Sequence, residues 1–156
     1  MKISYQKDAS ETIIFAAREL ETYLKRMLDM PLIEIWLESN KSCFKETKRD
    51  SYRIYISPKG GRIIGVNDRS VLLGVYDYLH TLGCRFLMPL KECEIVPSIE
   101  EDKLWADYEK CASFYHRGVC IEGADSFENI MNYIEWLPKV GYNSFFLQFK
   151  SPYAFL

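Results

Sequence analysis

A chain of 156 residues with 20 Lys and Arg against 22 Asp and Glu has a net charge of −2, and so has no positive surplus for neutralising phosphates. No basic stripe reads as a nucleic-acid footprint, and no run reaches the ~18 apolar residues of a membrane span, so neither nucleic acid nor membrane is expected as a partner. What remains is a globular composition, 48% hydrophobic, whose 15% aromatic share suits an aromatic-rich core or a carbohydrate-handling surface.

Along the chain, Lys2 to Tyr5 predicts a short strand. Ser10 stands as the N-cap of a helix, with Asp8 and Glu11 supplying negative charge at its start. Ile13, Ala17, Leu20, Leu24, Met27 and Leu28 then recur at three- and four-residue steps, and Pro31 ends the run. Leu32 to Glu38 predicts a strand in which Ile33, Ile35 and Leu37 share one face. The polar SNKSCFKETKRD reads as a loop.

SYRIYIS and RIIGVN, joined through PKGG, predict a β-hairpin. Asn67 and Asp68 cap a second helix with Leu72, Val75, Tyr76, Leu79 and Leu82 as its apolar set and Gly83 at its C-terminal cap. CRFLMP reads as a further short strand. The order β-α-β-β-β-α-β predicts an α/β (α+β) fold, a small mixed sheet with two helices packed on one face. Residues 98–113 are charge-rich and read as a linker or an edge crossover.

From Phe114 a new unit begins. VCIE is an apolar strand core, SFENIMNYIEWLPKVG a helix stopped by Gly141, and NSFFLQF a strongly apolar strand. This is a β-α-β crossover of the kind that builds parallel sheets. A (β/α)8 barrel needs roughly 250 residues, so this segment amounts to about a sixth of one.

No catalytic signature accompanies these elements. G-x-S-x-G, H-E-x-x-H and the P-loop are absent, and GGRIIG lies in a hairpin rather than at a helix N-terminus. Asp50, Asp68, Asp77 and Asp125 are scattered and read as solvated or capping carboxylates. Cys43, Cys84, Cys93, Cys111 and Cys120 include no C-x-x-C pair and His80 and His116 are far apart, so buried free thiols are expected, with neither metal nor cofactor. The N-terminal MKISYQKDASETIIF has no signal-peptide run, and the chain as written reads as cytoplasmic.

Three stretches, AARELETYLKRML, the hairpin through DSYRIYI…GGRIIGVNDRSVLLGVYDYLHTLGCRFLMP, and FYHRGVCIEG, together resemble the N-terminal part of family 20 β-N-acetylhexosaminidases and their α-glucuronidase-like relatives. The resemblance implies an accessory α/β domain over 1–97, a linker over 98–113, and the start of a truncated catalytic TIM barrel over 114–156. It implies that Arg117 and Glu122 bind substrate and that the catalytic acids lie on later barrel strands, leaving this chain alone inactive. Arg117, before a buried strand, also fits an ion pair with a nearby carboxylate. Glu122 stands where the family more often has aspartate. The implied partners are the remainder of the parent enzyme and an oligosaccharide, and Arg69 and Arg85 are expected to pair with acids across the barrel interface. A stand-alone carbohydrate-binding module, using aromatics such as Trp36, Tyr55, Trp105 or Tyr108, is the alternative. So is a structural module that forms a homodimer through its exposed apolar tail.

Overall fold

The computed structural model describes residues 2–28, 33–57, 59–124 and 126–149; Pro31, Asp125 and the chain beyond Phe149 lie outside them. In chain order the elements are β1 (Lys2–Tyr5), α1 (Glu11–Met27), β2 (Glu34–Ser39), β3 (Ser51–Ser57), β4 (Gly60–Gly65), α2 (Asp68–Thr81), β5 (Arg85–Phe86), β6 (Glu94–Ile95), β7 (Ala106–Cys111), β8 (Gly118–Ala124), α3 (Phe127–Trp136) and β9 (Ser144–Phe149), with short 3-10 turns between some of them.

Local chemistry sets the helix starts. The Ser10 side chain accepts from the Ile13 amide at 3.4 Å, and Glu11 adds charge to the first turn while Lys25 and Arg26 occupy the last. Asn67 accepts from the Ser70 amide at 2.9 Å, and Gly83, at φ 102°, follows the C-terminal cap of α2 in a conformation that a side chain would strain. α1 buries a stripe from Ile13 to Met27. α2 buries more of its circumference, including Val71, Leu73, Tyr76, Tyr78 and Leu79, because it packs against α1, the sheet and the turn Leu137–Val140. Leu72, expected in its core stripe, is only partly buried.

The main sheet is mixed, in the order β1-β2-β4-β3-β7. β1, β2 and β4 run parallel; β3 is antiparallel to both β4 and β7. Ile35 and Leu37 of β2, Ile54 and Ile56 of β3 and Ile63 of β4 are all buried under the helices. Arg53, Tyr55 and Arg62 turn to the opposite, open face, so both helices cover one side, as the sequence predicts.

Two elements differ from the sequence reading. β5 is a two-residue strand that pairs with β6 rather than joining the main sheet. The fifth strand of that sheet is instead β7, within the range read as a linker or edge crossover. Ala106 and Tyr108 face the core, whereas Asp107 and Glu109 face outward opposite Tyr55 and Arg53, and Arg53 pairs with Asp107 at 2.5 Å. A charged outer face is ordinary on an edge strand, and it disguises the strand as linker.

The closing unit is the expected β-α-β. β8 and β9 are parallel, in register from Gly118 opposite Ser144 to Glu122 opposite Gln148. Ser126 caps α3 by accepting from the Asn129 amide at 3.2 Å. α3 gives way at Leu137 to a 3-10 turn containing Pro138, ended by Gly141 in the left-handed region.

The cysteines are free, but the expectation of burial holds only in part. Cys84 is buried, its thiol pushed up to about 11 by desolvation, whereas Cys43, Cys111 and Cys120 are exposed. These three sit in a loop turn, at the end of the edge strand β7 and on β8. Among the described residues no helix is long and apolar enough to cross a membrane.

Candidate functional site

Arg117 lies immediately before β8, and its polar groups tie the closing unit to the sheet. Its amide donates to Asn143 Oδ1 at 2.9 Å, and its carbonyl accepts from the amides of Asn143 (2.8 Å) and Ser144 (3.0 Å). From the guanidinium, Nε donates to the Gly141 carbonyl at 2.9 Å, Nη1 to the Phe114 carbonyl at 2.8 Å, and Nη2 to Asp50 Oδ2 at 2.9 Å.

Asp50, one residue before β3, is 1% exposed. Its Oδ1 accepts from Arg69 Nε at 3.0 Å and Ser70 Oγ at 3.1 Å, and its Oδ2 accepts from Asn143 Nδ2 at 2.6 Å as well as from Arg117. One carboxylate therefore collects donors from the first turn of α2 and from the residues leading into β8 and β9. Burial works to raise its pKa, but the hydrogen bonds from Arg117, Asn143 and Arg69 outweigh it and hold the carboxyl below its ordinary value.

This corrects two expectations. Asp50 is a buried hub rather than a solvated carboxylate, and Arg69 pairs with it inside the same α/β unit. Arg85 donates instead to the carbonyls of His80 and Cys84. Backbone approach reinforces the junction: a Cβ at Gly118 would lie 2.0 Å from the Ser144 carbonyl oxygen, so β8 and β9 meet this closely only with glycine there.

Glu122 sits toward the other end of β8, about 16 Å along the strand from Arg117 at the usual rise. The two residues predicted to share a sugar site are therefore set at opposite ends of one strand. Glu122 is exposed and lies opposite Gln148; Cys120, on the same face of β8, lies opposite Phe146, which is 61% exposed. α3 covers the other face, where Tyr133 stacks on Phe145 at 6.3 Å. Among the described residues, no group of three or more His, Cys, Asp or Glu side chains could hold a metal ion.

A second junction lies beside the last turn of α2. Lys139, buried, donates to Glu94 Oε1 at 2.7 Å and to the Tyr23 hydroxyl at 3.1 Å. Tyr23 itself donates to Glu94 at 2.8 Å, and Arg26 Nη1 reaches the other oxygen at 3.3 Å. Burial opposes ionisation of Glu94, but Lys139 and Tyr23 prevail and lower its pKa. Trp136 Nε1 donates to the Phe86 carbonyl at 2.9 Å, and His80 Nε2 lies 2.8 Å from the Lys139 carbonyl.

Asp50, Asn143, Glu94 and Lys139 escape the sequence reading because each acts across dozens of residues. The nearest signal is the polar run Asn67–Asp68–Arg69–Ser70, which offers more donors than capping requires. No protein-family model matches the chain, and no curated protein does.

Proposed function

We propose that this chain is the non-catalytic N-terminal portion of a carbohydrate-active glycoside hydrolase, in which the five-stranded α/β unit buttresses a barrel opened by β8, α3 and β9. The observation that carries the reading is the half-covered state of that unit. Parallel strands are normally buried on both faces, and a two-stranded sheet is marginal by itself. Here α3 covers one face, while Cys120, Glu122, Phe146 and Gln148 stand on the other. α3 also carries a second apolar stripe, Phe127, Met131 and Ile134, 41–61% exposed at helical spacing. A barrel interior and a neighbouring barrel helix would cover these two surfaces.

The same geometry divides the labour between the two candidate residues. Barrel enzymes place chemistry at the C-terminal ends of the strands and stability at the N-terminal ends. Glu122 stands toward the former on β8 and would face the sugar; Arg117 stands at the latter and serves as a brace to Asp50. The catalytic carboxylates would come from later strands. The test is to recover the polypeptide from source cells with an antibody against residues 2–149 and to assay it on aryl hexosaminides and aryl glucuronides. Turnover reduced at least tenfold by Glu122→Gln supports the reading; a recovered polypeptide without glycosidase activity overturns it.

A second reading, a stand-alone carbohydrate-binding module, draws on the open face of the main sheet. Trp36 is in register with Arg62, and Arg62 with Tyr55, which puts the two aromatics about 10 Å apart across two strand spacings. Tyr55 is 51% exposed. Calorimetric titration with chito- and xylo-oligosaccharides separates the readings: heat abolished by Trp36→Ala favours the module, and no heat removes it.

A further inference from the structure

On the face that α3 leaves open, β8 and β9 form a ladder of cross-strand pairs whose chemistry changes along the strands. Gly118 opposite Ser144 begins it, Cys120 opposite Phe146 continues it, and Glu122 opposite Gln148 ends its regular part. Successive pairs on one face stand about 6.6 Å apart. The interior of a (β/α)8 barrel is filled by side chains in such layers, so the small and apolar pairs serve as packing. The last pair does not suit packing. It consists of two long polar side chains, both exposed, toward the C-terminal ends of neighbouring parallel strands.

A second feature marks the same place. Beyond Glu122 the ladder slips: β8 takes two residues, Gly123 and Ala124, for the single step of β9 from Gln148 to Phe149. Such bulges collect at barrel rims and beside active sites, where they end regular pairing and re-aim a side chain. The two polar groups also complement each other. An ionised carboxylate only accepts hydrogen bonds, whereas a carboxamide both donates and accepts. Neighbouring strands lie about 4.8 Å apart, so in-register side chains of this length bring their polar ends to one edge of a ligand. Two adjacent hydroxyls of a sugar ring satisfy both groups, one donating to Glu122 and the other accepting from the Gln148 amide. Phe146, 61% exposed and one pleat back on the same face, supplies an apolar surface beneath the ring.

We infer that Gln148 is a substrate-binding residue that acts with Glu122, the pair holding two adjacent ring hydroxyls at the mouth of the barrel. The inference rests on the hydrolase reading and adds to it a second contact residue and the edge of the sugar that the two residues read.

The test uses the full-length polypeptide and the aryl glycoside that it hydrolyses, together with analogues of that substrate lacking one ring hydroxyl at a time. Gln148→Met keeps the length of the side chain and removes its hydrogen-bonding groups; Gln148→Ala is the second variant, and each is checked for an unchanged unfolding temperature. The expected result is a loss of about fivefold in kcat/KM on the intact substrate, the effect of one hydrogen bond. That loss should vanish on the analogue lacking the hydroxyl that Gln148 contacts and persist on the others. Full activity in a folded variant overturns the inference and leaves the hydrolase reading standing. An equal loss on every analogue assigns Gln148 a structural role and overturns it as well. A full-length polypeptide that turns over no glycoside overturns the hydrolase reading, and the inference with it.

Discussion

The two units of this chain are held together by different physics. In the sheet and its two helices, the fully or nearly fully buried side chains form one apolar cluster running from Ile13 to Leu104. In the closing β-α-β unit, Ile130 and Leu137 are buried while Phe127, Met131, Ile134 and Phe146 remain exposed. The second unit is fixed instead by polar clasps, Asp50 at one side and Glu94 at the other, with Trp136 and Val140 packed against the neighbouring core. The first unit carries its own apolar core; the second is joined to it through a few polar contacts.

The sharpest way to break the comparison is to remove a clasp. Asp50→Ala leaves Arg69, Arg117 and Asn143 without their shared acceptor. It should cost about 3–5 kcal/mol, the range for stripping one partner from a buried charge pair. Limited proteolysis should then cut first within residues 114–149, and urea unfolding should show the midpoint shift. Uniform cleavage along the whole chain would mean that the clasp does not separate the units.

Leu24→Ala, at a fully buried position in α1, should cost about 2–5 kcal/mol by cavity formation. Ile134→Ala, on the exposed stripe of α3, should stay within about 0.5 kcal/mol. Equal losses in a denaturation series would show that α3 is packed more fully than its exposure indicates.

Acid should loosen the second unit before the first. Folding holds the Asp50 and Glu94 carboxyls below their ordinary values, so their contribution is present above the ordinary carboxylate pKa and is lost as pH falls through the folded values. Stability should decline from neutral pH toward ~pH 3, and Asp50→Asn should flatten that decline while lowering the neutral plateau. An unchanged acid limb in the variant would deny Asp50 its part. The smallest effect concerns association: the exposed Phe127, Met131, Ile134 and Phe146 should promote weak dimers in light scattering, reduced by Ile134→Glu.

Much of the first unit was legible because its signals are local. Ser10 and Asn67 cap helices through donors three residues away, and Ile33, Ile35 and Leu37 alternate as a half-buried strand must. The parallel β-α-β tail was equally readable from its apolar periodicity. β7 was not read as a strand, because outward charge on an edge strand resembles a linker. The clasps were hidden for a different reason: Asp50 meets Arg117 and Asn143 at separations of 67 and 93 residues, and no single-chain pattern announces such a meeting. Arg117 was picked out through the family resemblance as a substrate contact, and its geometry matches the ion-pair alternative that its place before a buried strand also allowed.

The central claim is that β8, α3 and β9 open a larger barrel. The most direct measurement is the size of the native polypeptide in source cells, detected with an antibody against this chain, whose own mass is 18.3 kDa. The account predicts a band far above that mass. A sole band at 18.3 kDa would contradict it.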